Sequence, residues 1–104
     1  MSEFDNLQFR VGTWGAKTFP DATDQEIYTH LKRELKELGR TVTNEELCEE
    51  IADCVLLLMH LAHRHGISID DEVRKKFAIC KTRKWGPRDA EGVREHVREK
   101  QSNR

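Results

Sequence analysis

The chain has 104 residues, which is enough for one domain with a modest apolar core. Charged residues make up 36% of the sequence but nearly cancel, and a net charge of −1 argues against a nucleic acid polymer or an anionic membrane as partner. Acids gather between Glu34 and Asp53 and bases between Arg74 and Arg88, so we expect a local site with an anionic and a cationic side.

An opening helix is predicted over about residues 2–14, because apolar residues recur there at helical spacing. Gly12 and Gly15 are expected to weaken its end, since glycine is a poor helix former. The apolar positions are Phe4, Leu7, Val11 and Trp14. No alternating pattern of useful length predicts a strand, so the expected fold is all-α, a bundle of about four helices.

Three further helices are predicted over 24–38, 44–65 and 69–84. Each follows the pattern of a capping box, in which a hydroxyl residue precedes an acid by three positions. The three patterns are TDQE (23–26), TNEE (43–46) and SIDD (68–71). Gly39 and Gly66 stand where left-handed residues commonly end helices, and we expect that conformation at both.

The predicted helix 44–65 is apolar around more than half of its circumference between Cys54 and Ala62. One small domain offers too little surface to cover such a helix, so a homo-oligomer, a dimer or a tetramer, is expected to complete the bundle. Residues 88–104 form a polar tail that is expected to be a short helix or disordered. All of 1–104 is assigned to a single domain.

Two pairs of acids stand out. ELKE places Glu34 and Glu37 three apart on one predicted helix, and EIAD places Glu50 and Asp53 three apart on the next. Residues at this spacing share a helix face, and the short connection makes the two helices antiparallel, so the pairs can face each other. Four converging carboxylates would repel, and a divalent cation such as Mg²⁺ removes the conflict. For each pair alone, a solvated helix face is the alternative interpretation.

These residues resemble a known family. ELKE and EIAD are similar to the ExxE and ExxD signature of the MazG-like, all-α nucleoside triphosphate pyrophosphohydrolases. Together with TFP, HLKRELKEL and RKWG, the match over about residues 7–97 is closest to the phage-associated dATP/dGTP pyrophosphohydrolase branch, the MazZ type. The resemblance implies hydrolysis of a purine deoxynucleoside triphosphate to the monophosphate, with release of pyrophosphate.

The resemblance also implies site residues. The metal ligands of the family fall here on the four acids of the two signature pairs, with Mg²⁺ as the expected ion and Mn²⁺ as a substitute. The triphosphate-binding segment of the family matches KKFAICKTRKWG, and by position Lys76, Lys81 and Arg83 are the phosphate contacts. Relatives often have Asn where this chain has Cys80, which puts in doubt the hydrogen bond that the amide makes.

Further residues are assigned from their position alone. Trp14 and Phe19 frame a loop before the acid helix and are candidates to stack on the base. His30, one turn before Glu34, and Glu49, beside Glu50, are candidates to support the metal ligands from behind. His60 lies two turns beyond Asp53 on the acid side of its helix, from where it could approach the substrate. A histidine satisfied within its helix is the alternative that we expect. Glu34, Glu37, Glu50 and Asp53 are also the expected catalytic residues.

Two alternatives stay open at this point. The substrate could be a pyrimidine nucleotide, dUTP or dCTP, since the base pocket depends on packing. The protein could also be a non-enzymatic helical module that binds a partner or senses a nucleotide.

The three cysteines include no CxxC pair and no leader is visible, so we expect reduced thiols and a cytoplasmic location in a bacterial or phage-infected cell.

Overall fold

The protein is all-α, as predicted. The structure, a computed structural model, describes residues 1–98, and over this range it contains no strand beyond one isolated bridge between Trp85 and His96. The helices are α1 (Glu3–Thr18), α2 (Asp24–Gly39), α3 (Asn44–Arg64) and α4 (Ile69–Thr82). None of the helices among these residues is both long and apolar enough to cross a membrane.

The chain divides into two compact units, where the sequence predicts one domain. The first, Met1–Glu72, contains α1, α2, α3 and the first turn of α4. The second begins at Val73 and holds the rest of α4 and the segment that follows it. The candidate site described below is built from the first unit.

Hydroxyl caps start the helices where the sequence predicts them. The hydroxyl oxygens of Thr23, Thr43 and Ser68 each accept a hydrogen bond from the backbone N–H three residues later, at 3.1, 3.2 and 3.1 Å. A fourth cap was not predicted: Ser2 and Asp5 form a complete capping box at the start of α1. Each cap satisfies a backbone donor that has no partner inside its helix.

The two predicted glycine caps have different outcomes. Gly66 has φ +63°, and the N–H of Ile67 donates to the carbonyl of Ala62, so a left-handed residue ends α3 as predicted. The prediction for Gly39 is wrong, because Gly39 is the last residue of α2 and its φ is not positive. The carbonyl of Leu38 accepts from both the N–H and the hydroxyl of Thr41, so α2 ends without a left-handed residue.

Helix α1 continues to Thr18, beyond the predicted end, and its two glycines explain why. Gly12 and Gly15 are buried against α3, and a β-carbon at Gly12 would overlap the side chain of His63. A β-carbon at Gly15 would lie 2.9 Å from Nε2 of His60. The glycines therefore let α1 approach α3 closely, and this packing outweighs their poor helix propensity.

Helices α2 and α3 run antiparallel. At one end, Asp24 at the start of α2 pairs with Arg64 and His65 at the end of α3, through contacts of 2.8 and 2.6 Å. At the other end, Glu34 of α2 lies beside Glu50 of α3. The order of these contacts brings the two acid pairs of the sequence to the same end of the helix pair.

A buried glutamine joins α1 to the connection between α3 and α4. Gln8 is 6% exposed, its Nε2 donates to the carbonyl of Ile67 at 2.6 Å, and its Oε1 accepts from the N–H of Ile69 at 3.0 Å. Both ends of the amide are thus satisfied, which is what a buried polar side chain requires. No sequence pattern predicted this contact.

The described part of the tail, residues 88–98, contains no helix, in contrast to the short helix considered from sequence. The chain turns back at Gly92, which has φ +83°. The N–H of Gly86 donates to Glu95 and that of Val97 to Lys84, at 2.8 and 2.7 Å, so the segment folds onto itself. Residues 99–104, the rest of the predicted tail, lie outside the described residues.

Candidate active site

Three carboxylates gather between α2 and α3. Glu34 comes from α2, and Glu50 and Asp53 come from α3, three positions apart on one face. Each offers one carboxylate oxygen, and these oxygens lie within 4.8 Å of one another. The antiparallel pairing of the two helices therefore creates a concentrated negative site.

Glu50 is the most constrained member of this cluster. Its Oε2 is buried and receives no hydrogen bond from any residue among 1–98. The pKa of Glu50 is raised to about 7. The largest cause is the neighbouring carboxyl of Glu34, which can share a proton with Glu50, followed by desolvation and by the charges of Glu34, Asp53 and Glu37. A buried carboxylate oxygen without a donor is costly unless a cation meets it.

The donor set suits a divalent metal ion. Mg²⁺ and Mn²⁺ bind carboxylate oxygens, and such an ion would supply the partner that Oε2 of Glu50 lacks and neutralise the repulsion among the three acids. Glu34, Glu50 and Asp53 are the residues that would hold it.

The fourth predicted ligand, Glu37, lies outside this group. Its side chain is more than half exposed, and its Oε1 lies 3.7 Å from the guanidinium of Arg40. The carboxylate still acts on the cluster through its charge, which contributes to the raised pKa of Glu50. The structure thus brings three of the four predicted acids together, and ligation by Glu37 stays a prediction.

The two residues predicted to support the ligands differ in placement. Nε2 of His30 lies 3.3 Å from Oε1 of Glu34, so the imidazole is in position to orient this carboxylate. Glu49 is exposed and does not belong to the cluster. Its side chain therefore has the placement of a solvated helix residue, the alternative for this position.

An apolar cavity of about 360 Å³ adjoins the carboxylates. Glu34 and Asp53 belong both to its lining and to the cluster, so the cavity opens directly onto the candidate metal site. Trp14 and Phe19 line it as well, with ring centroids 5.6 Å apart and planes at 89°. Both rings are about half exposed, which leaves surface for a planar ligand to contact.

His60 also lines this cavity, and its setting differs from the one expected. The residue is 7% exposed, it packs against Gly15, and its ring centroid lies 6.5 Å from that of Phe19. Neither ring nitrogen hydrogen-bonds to a residue in the described part of the chain, yet among residues 1–98 only Oε2 of Glu50 is a fully buried side-chain atom without a partner, so the nitrogens of His60 keep some solvent contact. The expected satisfied histidine stays a prediction. Burial, followed by the charges of Arg64 and His63, holds the pKa of His60 below its usual range.

The predicted phosphate contacts lie in the second compact unit. Lys81 places its Nζ over the ring of Phe77, 4.7 Å from the centroid, and Nη1 of Arg83 lies 3.4 Å from Nδ1 of His96. Lys76 acts with Arg83 on His96, whose pKa is lowered by burial and then by these and other charges. Cations of this segment are therefore close together, and their contact with phosphate stays a prediction.

Cys80 lies half-buried in the same segment, as a free thiol. Its backbone carbonyl accepts a hydrogen bond from the indole N–H of Trp85 at 3.2 Å. This contact uses the main chain, so the residue type at position 80 does not affect it.

The metal-free protein is expected to lose stability as the pH rises, because of Glu50. Its pKa in the folded protein, about 7, lies above the ordinary value of 4.5, so folding favours the protonated form. The resulting stabilisation is complete below the lower value and is lost as the pH rises through the higher one. We expect the melting temperature to fall between pH 5 and pH 8 in wild type and to fall less in Glu50→Gln, as measured by circular dichroism in chelator. Equal falls in the two proteins would contradict this assignment.

The sequence of the chain matches a family model and two named phage proteins. The model of the dATP/dGTP pyrophosphohydrolase family matches residues 7–104. A dATP/dGTP diphosphohydrolase of Salmonella phage PMBT28 is 36% identical over 92 residues, which are 88% of this chain and 31% of that protein. The chain thus spans about a third of the length of this relative. A dATP/dGTP diphosphohydrolase of cyanophage S-2L is 27% identical over 93 residues, 88% of this chain and 85% of that protein.

A solved structure has the same fold. The MazG-like pyrophosphohydrolase of cyanophage S-2L, bound to dGDP and three catalytic Mn²⁺ ions per active site, superposes with a TM-score of 0.80. The match covers 95% of this chain and 97% of that one, at 24% sequence identity. The four-helix arrangement is therefore that of a MazG-like protein.

Proposed function

Since this chain belongs to the dATP/dGTP pyrophosphohydrolase family, we propose that it hydrolyses dATP and dGTP to the monophosphates and pyrophosphate, with Mg²⁺ as its metal and Mn²⁺ as a substitute. The proposal rests on the cluster of Glu34, Glu50 and Asp53, which adjoins the apolar cavity lined by Trp14 and Phe19. The dGDP and Mn²⁺ ions bound by the S-2L protein support the same nucleotide and metal classes here.

The reaction needs water to attack the α-phosphorus while the bond to the β-phosphate oxygen breaks, and pyrophosphate leaves with the bonding electron pair. Divalent ions, when bound, supply neutralisation of phosphate charge and a lower pKa for water. Glu34, Glu50 and Asp53 would hold the ions, and His30 is in position to orient the carboxylate of Glu34. Glu37 is proposed to join the ligands when metal is present.

The cavity has the chemistry for a nucleobase. Most of its lining surface is apolar, and Trp14 and Phe19 present ring surface on which a planar base can stack. Because the cavity meets the carboxylates at Glu34 and Asp53, a base inside it leaves its phosphates beside the metal ligands. Lys76, Lys81 and Arg83 are proposed to take the remaining phosphate charge, Arg83 with a bidentate grip.

The experiment is a turnover panel. Purified protein is incubated with each of the four dNTPs, dUTP and the four NTPs, with Mg²⁺ or Mn²⁺, and monophosphate and pyrophosphate are quantified. We expect one pyrophosphate for each monophosphate, with dATP and dGTP consumed fastest. Consumption of no triphosphate with either metal would refute the enzyme, and faster turnover of dUTP or dCTP would refute the purine preference.

A second copy of the chain is proposed to complete the bundle. Leu47, Ile51 and Leu58 are 37, 48 and 43% exposed, and their spacing places them on one face of α3. A face of this kind on a helix is usually buried against another surface, and another copy of α3 is the partner we propose.

Light scattering after size exclusion tests this interface. Wild type is expected to have the mass of a dimer or tetramer, and Ile51→Lys is expected to shift it to the monomer, because a buried charge without a partner is costly. The control is Val42→Lys, the same charge at a loop residue that is 89% exposed, which should leave the mass unchanged. A monomeric wild type at micromolar concentration would contradict the proposal.

The biological setting of the reaction is also a proposal. Both named relatives are phage proteins, which supports a function in remodelling the nucleotide pool of an infected cell, in its cytoplasm.

A further inference from the structure

One histidine of the cavity lining has no function in the mechanism above. Glu26 accepts from the N–H of Thr23 at 3.0 Å, and His30 is engaged with Glu34. His60, in contrast, makes no hydrogen bond to any residue among 1–98, although it is nearly buried and belongs to the cavity lining. Its ring nitrogens are not among the fully buried atoms without a partner, so a ligand that enters the cavity can hydrogen-bond to them.

The position of His60 fits one end of a nucleotide. It lies seven residues beyond Asp53 on α3, a separation of about 10 Å along the helix axis. Asp53 belongs to the metal cluster, and the rings of Trp14 and Phe19 lie in the lining between α1 and this part of α3. A nucleotide with its phosphates at the cluster therefore directs the far edge of its base toward His60.

We infer that the imidazole of His60 hydrogen-bonds the purine base at position 6, and that it thereby selects 6-substituted purines. The inference rests on the proposed function, since it concerns the substrate of the same site. It makes His60 a specificity-determining residue, distinct from the metal ligands and from the stacking rings.

The chemistry of a neutral imidazole suits a site that accepts two purines. Such a ring carries one N–H donor and one acceptor nitrogen, and the tautomer decides which is which. Adenine presents an amino donor at position 6, and guanine presents a carbonyl acceptor. The same ring therefore pairs with either base, and its burial next to Arg64 and His63, which lowers its pKa, keeps it neutral near pH 7.

A pyrimidine is disfavoured at the same position. It lacks the second fused ring, so its edge ends short of the imidazole when its phosphates are at the cluster. His60 then lacks the hydrogen bond that a purine supplies, and a site built to bond a polar group rejects ligands that lack it.

The test compares substrates with and without the group at position 6. The triphosphate of deoxyribosylpurine lacks the amino group of dATP, and that of deoxyribosyl-2-aminopurine lacks the carbonyl of dGTP. For wild type we expect kcat/KM about tenfold higher for the natural member of each pair, the worth of one hydrogen bond to a buried group. In His60→Leu both ratios are expected to fall toward one.

Two further variants sharpen the test. His63→Leu is the matched control, because His63 lies one turn along α3, also contacts a glycine of α1 and is not part of the cavity lining. It should keep both ratios. His60→Met is the second variant should the leucine protein fail to fold, since methionine fills irregular space and offers no N–H group.

The outcomes separate this inference from the proposed function. Wild-type ratios near one, or ratios that survive in His60→Leu or His60→Met, would overturn the function of His60 while dATP and dGTP are still hydrolysed. Absence of hydrolysis of every dNTP by wild type would overturn both. Loss of the ratios in His60 variants, with the ratios kept in His63→Leu, would establish the contact.

Discussion

Asp53→Asn and Glu50→Gln are each expected to lower kcat/KM for dGTP by more than about 100-fold, since losing even an outer partner of a metal site costs roughly 10- to 100-fold. Each change removes one negative oxygen from a cluster whose ligand atoms lie within 4.8 Å of one another. The amides keep the size of the side chains, so the helices should form as in wild type. Steady-state kinetics with Mg²⁺ and with Mn²⁺, together with circular dichroism, measure both effects.

The control for these variants is Glu45→Gln. Glu45 is an exposed acid on the first turn of the same helix, outside the cluster, so the same loss of charge should leave kcat/KM within about twofold of wild type. If Glu50→Gln or Asp53→Asn retained turnover comparable to that of Glu45→Gln, the carboxylates would not be the metal ligands of the reaction.

Gly12→Ala is expected to lower the free energy of unfolding by about 1–3 kcal/mol, the usual cost of overpacking a core. The added β-carbon overlaps both Cγ and Cβ of His63. The ring can rotate, but Cβ is fixed by the backbone of α3, so the two helices must separate. The gain of roughly 0.5–1 kcal/mol from a better helix former offsets only part of this cost. Urea unfolding followed by circular dichroism gives the difference.

Gly39→Ala provides the matched control for the glycine prediction. Gly39 ends α2 with no atom within 4 Å of its would-be β-carbon and without a positive φ. The same substitution there should be neutral or stabilise by up to about 1 kcal/mol. A Gly12→Ala protein as stable as Gly39→Ala would mean that α1 and α3 do not pack as closely as described.

Local signals in the sequence were enough to predict most of the helices. Thr23, Thr43 and Ser68 act as caps because their hydroxyls satisfy backbone donors within three residues, a contact that depends on no distant part of the chain. Gly66 ends α3 in the left-handed conformation, which also depends only on nearby residues. The predicted family is also confirmed, because the family model matches residues 7–104.

Features that depend on tertiary packing were predicted less well. Gly12 and Gly15 look like helix breakers in isolation, and only the side chains of His63 and His60 show why α1 continues through them. A signal was present, since the glycines are three apart on α1 and the histidines are three apart on α3. Gln8 gave no comparable signal, because its partners are backbone groups about sixty positions away.

The candidate site shows the same division. Helical spacing was enough to bring Glu50 and Asp53 together, and the short connection was enough to add Glu34. The rotamer of Glu37 was not predictable, because Arg40 competes for its carboxylate. The surroundings of His60 were not predictable, since they depend on the cavity between α1, α2 and α3, which the sequence does not describe.

The most direct test of the account is a crystal structure with Mn²⁺ and a non-hydrolysable dGTP analogue, with anomalous scattering to locate the metal. We expect anomalous peaks bound by Glu34, Glu50 and Asp53, with the base against the rings of Trp14 and Phe19. Bound nucleotide with no metal peak at these three carboxylates would contradict it.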